Sequence, residues 1–137
     1  MDDCIFCKIV KKEVASSIIY EDEAILAFLD VAPVNIGHSL VIPKEHFADI
    51  HETPSKIMGK IMEVTKKVSG AIKAGVGADG INIHMNNEKV AFQAVFHAHV
   101  HVIPRFINDG LQEWHGKKLY NEGEEKLTAE KIIKEIE

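Results

Sequence analysis

Three histidines, His97, His99 and His101, alternate with apolar residues in the last third of the chain. Side chains alternate faces in a β-strand, so these three would share one face, with neighbours ~6.6 Å apart. A neutral imidazole is a competent nucleophile near pH 7, because its reference pKa is about 6.5. Three interpretations are open: exposed strand histidines, two ligands of a catalytic metal, or a nucleophile beside a phosphate ligand.

Two cysteines, Cys4 and Cys7, are separated by two residues and could supply half of a tetrahedral metal site. Four ligands drawn from cysteine and histidine are the usual set of a structural zinc site. A redox pair and two unligated thiols are the alternatives. Redox pairs of the thioredoxin type lie at a strand-to-helix junction of a βαβ unit, and Cys4 comes too early in the chain for that.

Length and composition indicate one globular domain, residues 1–137. Hydrophobic residues make up 46% of the chain, charged residues 27%, and the formal net charge is -5. Without a long basic stripe, binding to nucleic-acid backbones is not expected. No stretch is apolar for long enough to span a bilayer, and the first residues lack the pattern of a signal peptide. We therefore expect no nucleic-acid or membrane partner and a cytoplasmic location.

The elements that position these residues are predicted from periodicity and from turn signals. Thr53, as N-cap, and Pro54, as first helical residue, open a main helix that ends at Gly75 and Gly77. A short amphipathic helix over 127–136 is opened by Thr128. The chain begins with a short apolar segment over 4–10, and five strands are predicted at 18–20, 24–29, 39–42, 81–85 and 95–103. The fold class is α+β with an antiparallel sheet, whose exposed edges favour dimerisation.

The segment His97-Ala98-His99-Val100-His101-Val102-Ile103 resembles the signature of the histidine-triad (HIT) family at every position. Further blocks resemble the nucleotide-binding branch in the same order: Cys-Ile-Phe-Cys-Lys-Ile at 4–9, Ile-Tyr-Glu-Asp at 19–22, Ala-Phe-Leu-Asp at 27–30 and Gly-His-Ser-Leu-Val-Ile-Pro-Lys at 37–44. The resemblance covers about residues 4–105 and leaves a tail, 106–137. It implies a five-stranded antiparallel sheet with helices and a homodimer.

The resemblance also implies roles at matching positions. His99 would be the nucleophile, His101 would contact the α-phosphate and His38 would close the site. Asp30 would hold the ribose hydroxyls. Asn86 and Gln93 would approach the phosphates, and the base would lie between Phe6, Ile9, Phe28, Val31 and Leu40. Without the resemblance, Asp30 reads as a turn residue, His38 as a loop residue, Asn86 and Gln93 as polar surface and the apolar set as core.

For the cysteine pair, the resemblance implies a structural Zn²⁺ site completed by His46 and His97, as in related galactose-1-phosphate uridylyltransferases. His97 would then be a metal ligand that anchors the strand presenting His99. By analogy alone, Trp114 in the tail would reach the site of a partner subunit. His51, His84 and His115 are expected to be surface or strand residues without a role.

The function implied is a nucleotide hydrolase or transferase. Attack by His99 on the α-phosphate of a nucleoside phosphoramidate, ester or anhydride would form a nucleotidyl-histidine intermediate, and water would release the monophosphate. A purine nucleotide is expected as substrate. A dinucleoside polyphosphate hydrolase, a nucleotidyltransferase, a non-catalytic nucleotide-binding protein and a metal-dependent oxygenase or hydrolase are the alternatives.

One departure from the family pattern affects the loop before the triad. Phe92 stands where the family commonly has glycine, so bare backbone cannot approach the phosphates as closely there. Ala94 replaces a hydroxyl residue expected to contact the leaving group. The preference for a leaving group therefore does not follow from the resemblance.

Overall fold

The described residues form a five-stranded antiparallel sheet, as the sequence predicts, with the main and C-terminal helices and one further α-helix in the first apolar segment. The computed structural model describes residues 3–112 and 116–136. The helices are α1 (Ile5–Val10), α2 (Ser55–Val76) and α3 (Glu124–Glu135). The strands are β1 (Ile18–Glu21), β2 (Ile25–Leu29), β3 (Ser39–Pro43), β4 (Gly80–His84) and β5 (Val100–Arg105). Trp114 and His115 lie outside the described residues.

The order of the strands in the sheet is β1-β2-β3-β5-β4, and each pair of neighbours is antiparallel. The last strand of the sequence therefore lies inside the sheet, between β3 and β4. His101 of β5 is opposite Leu40 on one side and His84 on the other. This insertion gives the histidine segment a neighbouring strand on each side.

Different helices cover the two faces of the sheet, because alternate strand residues point to opposite faces. Apolar residues of α2 recur every three or four positions, and they bury one face, called here the α2 face. Its buried cluster consists of Ile25, Ala27, Val41, Ile61, Val64, Val68, Ile72, Val100 and Val102. The opposite face, called here the α1 face, carries a second buried cluster of Phe6, Ile9, Leu26, Phe28, Leu40 and Ile42.

The main helix begins one residue later than predicted. Pro54 is the capping residue, with an extended ψ of 142°, and Ser55 is the first helical residue. Thr53 does not cap the helix, because its hydroxyl donates a 2.6 Å hydrogen bond to the carbonyl of Asp49. The helix ends at Gly77, whose φ of 67° is left-handed, while Gly75 lies within the last turn.

The last strand and the last helix also differ from the prediction. β5 begins at Val100 and not at residue 95, so His97 and His99 precede the strand. The residues just before β5 do not pair with β3. The Ala98 amide there donates a hydrogen bond to the Phe47 carbonyl at 2.7 Å. α3 begins at Glu124, and Thr128 lies within it, its hydroxyl donating to the Glu124 carbonyl.

The fourth strand covers residues 80–84, not 81–85, and it lies at an edge of the sheet. The half-buried pattern expected for it is incomplete, since Ile83 is 43% exposed.

No described helix combines the length and the apolarity that a membrane crossing requires.

We predict that Gly37→Ala destabilises the fold. Gly37 has a φ of 100°, and an added Cβ would lie 3.0 Å from Val76 Cγ1 and 3.3 Å from Pro104 Cγ. The backbone strain and the contact should together lower the free energy of unfolding by about 1–3 kcal/mol, measured by urea denaturation. Gly70→Ala is the matched control, because Gly70 lies in α2 with no atom within 4 Å of an added Cβ.

The control should raise the free energy of unfolding by roughly 0.5–1 kcal/mol, since alanine replaces glycine inside a helix. Equal stability of Gly37→Ala and the unmodified chain would contradict the prediction.

Candidate active site and metal centre

The candidate site lies on the α1 face, where four strands place one row of side chains. Phe28 of β2 is opposite Leu40 of β3, Leu40 is opposite His101 of β5, and His101 is opposite His84 of β4. Residues directly opposite one another in an antiparallel pair point to the same face. The row is thus apolar over β2 and β3 and carries imidazoles over β5 and β4.

His99 is buried, with 4% of its surface exposed, and its ring has a defined orientation. Its Nδ1 lies 2.7 Å from the carbonyl oxygen of His97. A carbonyl can only accept, so Nδ1 carries the proton and Nε2 keeps a free lone pair. Burial lowers the pKa of His99, which favours the neutral ring. The edge of the ring contacts Phe6 of α1, with centroids 5.2 Å apart.

A chain of hydrogen bonds orients His101. The Val34 amide donates to His38 Nδ1 at 3.2 Å, so the proton of a neutral His38 is on Nε2. His38 Nε2 then donates to His101 Nδ1 at 2.9 Å, which leaves the His101 proton on Nε2. Asp30 Oδ2 lies 3.6 Å from His38 Nε2. Burial lowers the pKa of His101 to about 4, so the ring is neutral at pH 7 and offers an N–H.

The donor atoms of Cys4, Cys7, His46 and His97 all lie within 4.8 Å of one another. His97 Nδ1 is 3.5 Å from Cys4 Sγ and 3.6 Å from Cys7 Sγ, and Cys7 Sγ is 3.3 Å from His46 Nδ1. Sulfur and nitrogen ligands of one tetrahedral Zn²⁺ are separated by about 3.5 Å. The spacing of this cluster therefore fits such an ion.

The hydrogen bond of His97 suits a metal ligand. Its Nε2 donates to the Pro43 carbonyl at 2.8 Å, so the lone pair of Nδ1 points at the two sulfurs. A ligating histidine commonly donates its second N–H to a carbonyl in this way. Burial and the neighbouring Cys4 raise the pKa of the Cys7 thiol, and a cation bound at the sulfur would favour the thiolate instead.

A second group, Asp30, His38 and His101, also has its donor atoms within 4.8 Å of one another. The proton positions that the hydrogen bonds of His38 require argue against a metal ion in this group. An ion bound to His38 Nε2 would displace the proton that this atom donates to His101, and the proton would move to Nδ1, opposite the Val34 amide. Of the two groups, the cysteine-containing cluster is the better metal site, and the second is arranged for hydrogen bonding.

The residues expected to enclose the base fall into two groups. Phe6, Ile9, Phe28 and Leu40 pack together in the cluster of the α1 face. Val31 lies apart from them in the loop after β2 and is 94% exposed. The roles of these residues in binding a base stay predictions.

The residues expected to approach the phosphates lie in the loop between β4 and β5. Gln93 is buried, and its amide bonds the backbone: Nε2 donates to Ala48 and Val95 carbonyls at 2.6 and 3.1 Å, and Oε1 accepts from the Glu88 amide at 2.8 Å. Asn86 Nδ2 donates to the Phe92 carbonyl at 3.4 Å. These contacts shape the loop, and direct binding of phosphate by either amide stays a prediction.

Phe92 occupies a backbone conformation that favours glycine, with a φ of 69°, and its side chain is 85% exposed. Glu88 in the same loop has a φ of 71°. The loop thus keeps a glycine-like path without glycine at either position, and strain of this kind is often found near functional sites.

His84 is the one site residue to which the sequence assigned no role. It lies opposite His101, and the two ring centroids are 4.8 Å apart. The alternation of Ile81 and Ile83 with Asn82 and His84 indicates a polar face of β4. Nothing in that pattern indicates that β5 is the neighbour of β4.

Comparison with known proteins agrees with this geometry. A family model described as HIT domain matches residues 11–108. An uncharacterized HIT-like protein of Borreliella burgdorferi is 48% identical over 121 residues, which cover 87% of each chain. Adenosine 5'-monophosphoramidase hnt1 of Schizosaccharomyces pombe is 45% identical over 102 residues, 74% of each chain. Adenylylsulfatase HINT3 of Arabidopsis thaliana is 40% identical over 110 residues, 80% of this chain and 56% of that protein.

Solved structures show the same architecture. The crystal structure of SMU.412c from Streptococcus mutans superposes with a TM-score of 0.95 at 43% identity, over 100% of this chain and 87% of that one. A Zn-bound histidine triad family protein from Mycobacterium smegmatis has a TM-score of 0.78 at 41% identity, over 85% of each chain. This chain therefore belongs to the HIT domain family, as its histidine motif indicated.

Proposed function

We propose that the protein is a nucleotide hydrolase or transferase in which His99 attacks the α-phosphate of a bound nucleoside phosphoramidate, ester or anhydride. The observation that carries the proposal is the hydrogen bond from His99 Nδ1 to the His97 carbonyl at 2.7 Å. It leaves Nε2 as an unprotonated nucleophile. The ring of His101, which offers an N–H, is centred 5.0 Å from that of His99.

The proposed reaction needs no proton transfer from the nucleophile. As the bond from Nε2 to phosphorus forms, the bond from phosphorus to the leaving atom breaks, and the leaving group takes the bonding pair. An amine leaving group also takes one proton from water and departs as ammonia. Because Nδ1 keeps its proton, the intermediate is a positively charged imidazolium that faces the His97 carbonyl. Water then attacks phosphorus, the bonding pair returns to Nε2, and a nucleoside monophosphate is released with one proton.

The neighbouring polar residues have distinct roles in this proposal. His101 donates a hydrogen bond from its Nε2–H to a non-bridging oxygen and offsets the charge that develops there. His38 closes the site and holds the His101 tautomer through its 2.9 Å hydrogen bond. Asp30 binds the ribose hydroxyls. Asn86 and Gln93 position the loop beside the phosphates.

The base is proposed to lie against the apolar part of the row. Phe6, Ile9, Phe28 and Leu40 form a wall beside His99, and exposed Val31 would cover the base from the loop after β2. An adenine nucleotide is supported by two relatives, since a 5'-monophosphoramidase and an adenylylsulfatase both act on adenosine 5'-phosphate compounds by their names. Their leaving groups differ, so a dinucleoside polyphosphate hydrolase and a nucleotidyltransferase stay alternatives.

We also propose that the protein binds one structural Zn²⁺ at Cys4, Cys7, His46 and His97. Support comes from the spacing of the donor atoms and from the Zn-bound relative of Mycobacterium smegmatis. The ion would hold α1 against the segment that presents His99. Free cysteines used as zinc ligands suit a reducing compartment, which supports a cytoplasmic location.

A homodimer is proposed through the edge strand β4. An edge strand presents unpaired backbone groups that can pair with a second copy. β4 is at one end of the sheet, directly beside the histidine-bearing β5. The molar mass in solution, measured by light scattering, distinguishes the dimer from a monomer.

We predict a covalent adduct on His99. Mixing the protein with adenosine 5'-phosphoramidate and quenching with acid should give an adenylyl group on residue 99, identified by mass spectrometry of peptides. His99→Asn should form none and should lower turnover by more than about 10³-fold, because the nucleophile is absent. His51→Asn, an exposed residue of the turn before α2, is the control and should react as the unmodified chain. An adduct on another residue would refute the assignment.

We predict that His101 stays neutral across the physiological pH range. Burial disfavours its charged form and lowers its pKa to about 4, so protonation begins only well below pH 6.5. Nitrogen-15 NMR between pH 5.5 and 7.5 should show one neutral tautomer with the proton on Nε2, and a His101→Gln variant assigns the signal. A titration midpoint inside that range, or a proton on Nδ1, would be inconsistent with the hydrogen-bond chain.

We predict that the cysteine cluster binds one zinc ion per chain and stabilises the fold. Cys7→Ser should lose the metal in elemental analysis. At zinc concentrations of 100–1,000 times the dissociation constant, its loss should lower the free energy of unfolding by about 3–4 kcal/mol. Glu45→Gln, next to His46 but outside the cluster, should keep the ion. If chelation instead abolished adduct formation while stability stayed unchanged, the metal would be catalytic and the structural role wrong.

A further inference from the structure

His84 is an imidazole at the site with no assigned task. Its ring is exposed and is centred 4.8 Å from that of His101. Within the described part of the chain, neither ring nitrogen of His84 has a hydrogen-bond partner. The other imidazoles of the row and its surroundings are engaged: His38 with His101, and His99 with the His97 carbonyl. His84 is thus the imidazole of the row with both ring nitrogens free, whereas His99 and His101 each have one nitrogen engaged.

The row of side chains on the α1 face gives His84 a defined position relative to a bound nucleotide. Phe28 and Leu40 lie on one side of His101, and His84 lies directly on its other side. A nucleotide is a linear sequence of base, sugar, α-phosphate and leaving group. If the base lies against the apolar residues and the α-phosphate at His99 and His101, as proposed above, the leaving group would lie on the side of the α-phosphate away from the base, which is the side of His84.

We propose that His84 donates an N–H hydrogen bond to the leaving group of the substrate and so favours nucleotides with an oxyanion leaving group, such as sulfate or phosphate. The proposal rests on the function given above and specifies its substrate class. It applies to leaving groups with acceptor oxygens beyond the bridging atom, which an ammonia leaving group lacks.

The proposed contact fits a balanced reaction. The bond from His99 Nε2 to phosphorus forms, and the bond from phosphorus to the bridging oxygen breaks. The bonding pair stays on that oxygen, which becomes part of a sulfate or phosphate anion. His84 keeps its proton throughout and stabilises the negative charge as it develops, and no group is oxidised or reduced.

The test compares two substrates that share the adenylyl group and differ in the leaving group. Adenosine 5'-phosphosulfate releases an oxyanion, and adenosine 5'-phosphoramidate releases ammonia. His84→Val removes the donor and keeps a residue suited to a strand, whereas His84→Gln retains a side-chain N–H. His51→Val is the matched control outside the row, and light scattering and urea denaturation check that each variant keeps its mass and stability.

A hydrogen bond to a charged group is worth enough to change a rate by about 10- to 100-fold. We expect His84→Val to lower kcat/KM for the phosphosulfate by that factor and to leave kcat/KM for the phosphoramidate within about twofold. His84→Gln should restore most of the loss, and His51→Val should match the unmodified chain.

Equal losses on both substrates would overturn the inference, because His84 would then act on His101 and not on the leaving group. Unchanged rates on both would overturn it as well. In either case an adenylyl adduct on His99 in the unmodified chain would leave the proposed function standing. If the unmodified chain formed no adduct with either substrate, the proposed function would fall and this inference with it.

Discussion

A single peptide carbonyl, that of His97, determines what the histidine segment can do. It accepts a hydrogen bond from Nδ1 of His99 at 2.7 Å and so leaves the lone pair of Nε2 without a proton. An imidazole without such a partner exchanges between two tautomers and rotates, so the reactive nitrogen would be present and aimed for only part of the time.

The side chain of His97 fixes the position of that residue's own backbone. His97 is fully buried, its Nε2 donates to the Pro43 carbonyl, and its Nδ1 faces Cys4 and Cys7. The segment 95–99 forms no strand, so ladder hydrogen bonds do not restrain it. The ring of His97 replaces that restraint, with one anchor at the end of β3 and another at α1. An ion at the cluster would therefore affect the proposed reaction through the position of this carbonyl.

Helix α1 shows how a short element can take part in both clusters. A helix of six residues is too short to be stable alone in water. It is stabilised here by Phe6 and Ile9, which are buried on the α1 face. Cys4 and Cys7 lie at and just after its N-terminus, and Phe6 contacts the rings of both His97 and His99 at centroid distances of 5.9 and 5.2 Å. One turn of helix thus links the cysteine cluster to His99, the proposed nucleophile.

Much of this arrangement could be predicted from the sequence, and the failures have physical causes. The α2 helix and the hairpin of β1 and β2 were predictable because the spacing of apolar residues within each element indicates its type without knowledge of its neighbours. Thr53 misled because a hydroxyl can bond an earlier carbonyl, here Asp49, as well as cap a helix. The predicted start of β5 was wrong because the alternation of histidines with apolar residues was taken as evidence of strand pairing. His97 and His99 instead form hydrogen bonds from their rings to backbone carbonyls.

The order of the strands limits what the sequence could predict about His84. Its face of β4 could be predicted from alternation, but its neighbour could not, because β5 crosses to lie between β3 and β4. The two groups of donor atoms each contain two histidines and lie within 4.8 Å, but one adds two cysteines and the other an aspartate. Their hydrogen bonds distinguish them as well: a carbonyl that accepts from His97 Nε2 leaves Nδ1 free for a cation, whereas an amide that donates to His38 Nδ1 requires a proton on Nε2. The backbone that surrounds each ring, and not the ring itself, therefore decides between a metal ligand and a hydrogen-bond donor.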